Sequence, residues 1–460
     1  MRRQIRMLGA VLLSAAMLTG CGAGTQVSKT TQEDTAVMEP GAQEETSDEN
    51  VEQTAEKENT GIEEEEEQGE TEEMTNTEQT TETTTDSMIP EVAIEPCELP
   101  ESEALSFVRD MKIGWNLGNT LDASSDQNKA DELAYESDWC GIVTTKEMID
   151  EIKAAGYQTL RVPVSWHNHV SDDGSYTISQ VWMDRVQEVV DYGIDNGMYV
   201  ILNIHHDNNT SYMYPSSEYQ EQSEAYIQAI WNQVAERFAE YDEHLIMEAL
   251  NEPRLVGTNH EWWLDVNNQD CIDALQRING YNQVFVDTVR ATGGKNATRY
   301  LLVPGYAASL QGATNSYFEL PEDIQGNEGK ILIEVHAYTP YNFALQGEGE
   351  SGSTDKWSID SPSDRAEIDN LMNELYNRYT KNGIGVVIDE FGARDKGNNT
   401  QARTEFATYY IAAARARGIT CCWWDNNAFS GNGENFGLLR RRVNQFLYPE
   451  IVEGMMKYSE

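Results

Sequence analysis

The chain runs to 460 residues and carries 79 acidic against 32 basic side chains, a formal net charge of −47. So large a negative surplus repels nucleic-acid phosphates instead of neutralising them, which excludes nucleic acid as a partner. Its six cysteines, irregularly spaced, form neither a disulfide framework nor a zinc pattern.

In chain order, a basic start (Met1–Arg6) leads into an apolar stretch, Met7 to Gly20, which ends on Leu18-Thr19-Gly20-Cys21. This is a secretory signal, residues 1–20, too short to span a bilayer permanently. Its ending resembles the bacterial lipoprotein box, which implies cleavage before Cys21 and a lipid on that sulfur. The expected location is the outer face of a bacterial membrane. Residues 21–100 are rich in Glu, Thr, Gln and Ser, with 24 acidic residues against Lys29 and Lys57. Such a segment cannot bury enough apolar surface to offset its ordering entropy, so it reads as a disordered linker. As a flexible coil it reaches roughly 50 Å, enough to hold a folded part away from a membrane.

Residues 101–460 have the length of an eight-stranded α/β barrel with insertions. Strands are expected near 112–115, 159–164, 199–204, 245–250, 299–303, 331–335, 385–388 and 420–423, with intervals long enough for crossover helices. Thr144 and Glu147 read as a capping box opening a helix that Gly156 closes. A second helix is expected from Val181 to Asn196, ended by Gly197. Cys421 and Cys422 sit in the last strand and read as small apolar packing residues. Cys97, Cys140 and Cys271 leave room for one disulfide. No separate binding module is visible, and a monomer is expected.

Two segments carry the chemistry. Leu245 to Arg254 (LIMEALNEPR) is an apolar strand that opens into Asn251-Glu252 and stops at Pro253. Ile384 to Gly392 repeats the design and ends on Glu390. The other strand ends bear Asn119, Arg161, His205-His206-Asp207, His336-Ala337-Tyr338 and Trp423-Trp424-Asp425-Asn426. Converging on the C-terminal face of one barrel, these residues make an active site. Two carboxyl groups at strand ends are what glycosidic hydrolysis requires, one a nucleophile and one an acid. Arg161 would keep a nucleophilic Glu390 charged, and Tyr338 could donate to the same carboxylate. Asn251 suits a sugar 2-hydroxyl, and Trp424 offers a flat face to a pyranose. No metal or other cofactor is needed.

At these motifs the chain resembles glycoside hydrolase family 5. The matching stretches are Gly114–Thr120, Arg161–Trp166, Ile201–Asp207, Leu250–Pro253, His336–Tyr338, Asp389–Gly392 and Trp423–Asn426. The resemblance implies a (β/α)8 barrel with Glu252 as acid/base and Glu390 as nucleophile. It further implies Arg161, His205, Asn251, His336 and Tyr338 as their support, with Asn119, His206 and Trp424 touching sugar. Residues 116–122 and 164–169 look most like subfamily 4. The implied activity is endo-acting, retaining cleavage of β-1,4-glucosidic bonds in cellulose, mixed-linkage β-glucan or xyloglucan. Trp139-Cys140-Gly141-Ile142 stands where that group usually has Trp-Gly-Asn-Pro, so the loop near the sugar cleft differs. A β-1,4-mannanase or xylanase of the same family is the alternative. A remote one is a metal-dependent barrel hydrolase, with His167 and His169 joining His205, His206 and His336 as ligands.

Overall fold

Eight parallel strands close on themselves in sequence order: β1 (Ile113–Leu117), β2 (Thr159–Val162), β3 (Tyr199–Asn203), β4 (Leu245–Glu248), β5 (Leu301–Pro304), β6 (Ile331–His336), β7 (Val386–Phe391) and β8 (Ile419–Asp425). β1 pairs with both β2 and β8, so the barrel has no open edge. The structure, a computed structural model, describes residues 88–431 and 433–460. The signal, Cys21 and most of the acidic linker lie outside the described residues.

All eight strands fall where the apolar runs place them, with ends moved by a few residues. Their periodicity explains the interior. Residues pointing outward, such as Leu160, Val162, Val200, Leu202, Ile333 and Val335, join the shell between strands and helices. Alternate residues face the axis. At the barrel floor Ile201, Ile246, Leu302, Leu332, Val387 and Cys422 pack with Phe107, Val108 and Met111. The latter come from the helix Glu103–Asp110 and its C-cap; Ser102 caps that helix by accepting from the Leu105 amide. Phe107 stacks on Tyr300 at 3.7 Å, which plugs the floor. Gly114 is required there, because a Cβ at that position would sit 2.2 Å from the Cys422 sulfur.

One layer higher the inward residues turn polar: Asn116, Arg161, Asn203, Glu248, Glu334 and Asp389, all without exposed surface. In β7 the register shifts between Ile388 and Phe391. That irregularity breaks the alternation, so the consecutive carboxyls of Asp389 and Glu390 both reach Arg161.

Three expectations change. The folded body begins no later than residue 88 rather than at 101. Val92 and Ile94 pack on the outer shell, the Val92 amide bonds Tyr458, and the Cys97 amide bonds the Ala416 carbonyl. The apolar residues of this stretch were masked by the acidic average of the linker. The helix Lys146–Ala154 is capped at Thr145 without a side-chain hydrogen bond, one residue later than the capping-box reading. Thr144 is instead buried, its amide held by Glu136. The five described cysteines are all free thiols, so no Cys97, Cys140 or Cys271 disulfide forms among them. Gly156 and Gly197 end their helices in left-handed conformations as expected.

Candidate active site

Arg161 leaves β2 pointing into the barrel with none of its side chain exposed. Its Nε and Nη2 grip both oxygens of Glu248 at 2.6 and 2.7 Å. Nη1 donates to Glu390 Oε1 at 2.6 Å and to Asn116 at 3.0 Å, and Nη2 also reaches the Asn251 side-chain oxygen at 2.9 Å. One planar fork thus joins β1, β2, β4 and β7. Burial alone would favour a neutral guanidinium, but Glu248 and Glu390 around it push its pKa well up, so it stays cationic.

Glu390 takes a second hydrogen bond from the Tyr338 hydroxyl, 2.9 Å to Oε2. Glu252, in the loop after β4, is held at Oε1 by His336 Nδ1 at 2.9 Å. One oxygen of Glu252, one of Glu390 and a ring nitrogen of His336 lie within 4.8 Å of one another. Arg254 adds a bond to the Glu252 carbonyl at 3.0 Å, and its guanidinium stacks on Trp262 at 4.0 Å. Because the Asn251 oxygen faces Arg161, its amide nitrogen is turned toward the cleft.

His205 and His206 follow β3. The Asn203 amide donates to both Glu248 and His205 Nδ1, which fixes His205 with its proton on Nε2. Burial pushes His205 well below the ordinary histidine range, so it is neutral; His206, about a third of whose side chain is exposed, is shifted in the same direction. The ring of Trp424 lies parallel to that of His205, centroids 5.8 Å apart. Asn119 has a left-handed φ of 60° and a backbone amide bonded to Asp122. Of the proposed site residues, Arg161 lies within β2, and the others, Cys21 aside, stand at or just beyond the C-terminal ends of their strands.

The imidazoles of His167 and His169 part company. His167 pairs with Asp207, while His169 stacks on Trp182 at 3.6 Å and bonds Glu132. Three groupings of described residues are close enough to share an ion: Asp122 with His205 and His206, Glu252 with His336 and Glu390, and Glu334 with His336 and Asp389. None includes the H-x-H pair, so the ligand set of the metal-dependent alternative does not assemble.

Sequence reasoning missed Asn116, Asn203, Glu248, Glu334, Asp389 and Arg254 as parts of the site. A signal existed for most: a charged or amide residue at an inward position of an otherwise apolar parallel strand, as in Ile331-Leu332-Ile333-Glu334-Val335. Such a group has to be paired or neutral, and so belongs to a polar layer.

The sequence profile described as Cellulase (glycosyl hydrolase family 5) matches residues 123–430. Endoglucanase 1 of Ruminococcus albus is 46% identical over 361 residues, 78% of this chain and 82% of that protein. The chain belongs to glycosyl hydrolase family 5. Among solved structures, a family 5 lichenase from Caldicellulosiruptor sp. F32 is 57% identical with a TM-score of 0.80, covering 81% of this chain and all of that one. A GH5-4 broad specificity endoglucanase from Ruminococcus champanellensis with bound cellotriose is 44% identical, TM-score 0.71, covering 78% of this chain and all of that one.

His336 adds a pH dependence to the stability of this family 5 site. Burial would lower its pKa, but the charge of Glu390 and the hydrogen bond it donates to Glu252 outweigh burial and lift it to about 9. A histidine raised from its ordinary 6.5 stabilises the fold fully below pH 6.5, and that stabilisation is lost as pH rises through 9. It amounts to at most about 3 kcal/mol. Urea denaturation of wild type and His336→Gln should give a stability difference that shrinks steadily between pH 6.5 and 9.5. A difference independent of pH would mean that His336 is not charged in the folded enzyme.

Proposed function

We propose that the chain is an endo-acting, retaining β-1,4-glucanase in which Glu390 is the nucleophile and Glu252 the acid/base. The observation that carries this is the proximity of the two carboxyls. One oxygen of each within 4.8 Å of the other is in keeping with the roughly 5–5.5 Å separation of retaining enzymes and falls short of the roughly 6.5–9.5 Å of inverting ones. The named activities of the relatives, endoglucanase and lichenase, support cellulose-type and mixed-linkage β-glucans as substrates. Exposed aromatics on the loops after β1, β4 and β6, namely Trp139, Trp262, Trp263 and Tyr341, suit an open cleft that takes a polymer internally.

The mechanism follows from the contacts. Arg161 and Tyr338 hold Glu390 ionised and aimed. A lone pair of Glu390 bonds to the anomeric carbon, the glycosidic bond breaks, and Glu252 gives its proton to the departing oxygen. Before substrate binds, burial pushes the Glu252 carboxyl up, but the His336 hydrogen bond and charge outweigh it and hold Glu252 low, so an ionised Glu252 stands beside a cationic His336. A bound glucan covers the open side of Glu252, removes its water and favours the protonated acid. Esterification then neutralises Glu390, the neighbouring negative charge disappears, and Glu252 is left ionised to accept a proton from water. Asn251, with its amide nitrogen free, is placed for the 2-hydroxyl.

The test separates the glutamates by leaving group. Glu252→Ala should still form the covalent intermediate from an activated aryl cellobioside, then stall; azide should restore turnover and give a β-glycosyl azide. Glu390→Ala should form no intermediate and yield at most the α-azide. On natural glucan both variants should lose at least about 10²-fold. Retention in Glu390→Ala, with Glu252→Ala inert even in azide, would reverse the roles.

The subfamily 4 likeness of residues 116–122 and 164–169 extends the proposed substrates to xyloglucan. We further infer that the enzyme is tethered outside the cell by a lipid on Cys21, with the acidic linker as spacer. Leu18–Cys21 and the composition of residues 22–87 support this. In a detergent phase separation, wild-type protein from cells should enter the detergent phase and Cys21→Ala the aqueous phase. Wild-type protein wholly in the aqueous phase would end the tether reading.

A further inference from the structure

Beneath the two proposed catalytic glutamates the barrel holds more acid than its cations can balance. Glu248, Glu252, Glu334, Asp389 and Glu390 crowd around Arg161 and His336. Glu334 and Asp389 have no exposed surface, and all four of their side-chain oxygens lack a hydrogen-bond donor. An ionised carboxylate can only accept, so this is the worst state for either group. The nearby cations are committed elsewhere. His336 Nε2 stands 3.5 Å from both Glu334 Oε1 and Asp389 Oδ1, beyond a good hydrogen bond. Arg161 Nε is 3.3 Å from Asp389 Oδ2, but its N–H is spent on Glu248 at 2.6 Å.

A proton on each group cures both defects, since it removes the charge and supplies an O–H donor. For Asp389 the neighbouring acceptor is Glu248, since Arg161 Nε stands 2.6 Å from Glu248 Oε2 and 3.3 Å from Asp389 Oδ2. The charged or titratable groups facing the pair are Arg161 from β2, Glu248 from β4, His336 from β6, Glu390 from β7 and the Cys422 thiol from β8.

We propose that Glu334 and Asp389 are un-ionised carboxylic acids in the working enzyme, and that they act as positioning residues for Glu390 by leaving Arg161 divided between Glu248 and Glu390 alone. Burial, then the charges of Glu248 and its neighbours, push both groups well above the carboxylate range. The charge count then closes through the reaction. With Glu252 protonated, Arg161 and His336 are balanced by Glu248 and Glu390. When the Glu390 lone pair bonds to the anomeric carbon and the Glu252 proton leaves on the departing oxygen, the negative charge passes from Glu390 to Glu252 and the sum is unchanged. The positioning role rests on Glu390 as nucleophile; the proton state of the two acids does not.

Infrared spectroscopy of the full chain reads that state directly. At neutral pH the surface carboxyls are ionised, so a carbonyl stretch of un-ionised acid, shifted in D2O, reports buried protonated groups. Wild type should show this band, Glu334→Gln and Asp389→Asn should each remove about half of it, and the double variant should abolish it. If a variant fails to fold, the wild-type band decides alone: it should persist above pH 8. Absence of the band at neutral pH, or a band untouched by either substitution, overturns the proposal. Kinetics test the positioning half. The acid limb of kcat/KM should stay within ~0.3 pH unit in Asp389→Asn, since a neutral group replaces a neutral one. A fall of about one unit or more would show that Asp389 is an anion competing for Arg161. Failure of the nucleophile assignment would appear in the azide products and leave the band intact.

Discussion

The site depends on a single buried guanidinium. Arg161 binds Glu248 through two parallel hydrogen bonds, Glu390 through one, and the side-chain oxygens of Asn116 and Asn251. The partners come from β1, β4 and the loop after it, and β7, so the contacts that close the barrel interior also aim the carboxylate proposed as nucleophile. A buried charge of this kind is tolerated only when fully paired, and removing one partner from such a pair typically costs 3–5 kcal/mol. Lysine could not replace it, because a point charge cannot fork toward Glu248 and Glu390 together.

The second constraint is the local break in β7. In a regular strand Asp389 and Glu390 would face opposite sides. The register shift between Ile388 and Phe391 turns both carboxyls inward, one into the dry polar layer and one up to the cleft. Adjacent residues thereby acquire opposite protonation requirements. Glu252 and His336 meet at the other side of the cleft, where the imidazole N–H reaches the carboxylate at 2.9 Å and its charge holds Glu252 low.

Much of this was legible in the sequence. Short apolar runs that end in Asn251-Glu252, Glu390 and His336 marked the strands, because parallel strands are covered on both faces and leave polar residues only at their ends. The residues reaching Glu252 and Glu390 stood in those ends. What the linear pattern hid was the layer below. Glu248 and Glu334 interrupt apolar runs by one residue each, and nothing local says that an arginine from β2 meets the first and nothing ionic satisfies the second. The start of the fold was hidden for another reason: Val92 and Ile94 are few among acidic neighbours, and their value comes from contacts with residues hundreds of positions away. The H-x-H at His167 and His169 misled in the opposite sense, since i, i+2 spacing in a 3-10 turn sends the two rings to different partners.

The central claim is that Glu390, held by Arg161, bonds to the anomeric carbon. It is tested most directly by incubating the enzyme with an activated 2-deoxy-2-fluoro cellobioside, which slows breakdown of the glycosyl-enzyme more than its formation, and mapping the label by peptide mass spectrometry. The label should fall on the peptide containing Glu390, specifically on that side chain, and should be absent from Glu390→Ala. Label on Glu252, or full inactivation without any covalent adduct, would contradict the account.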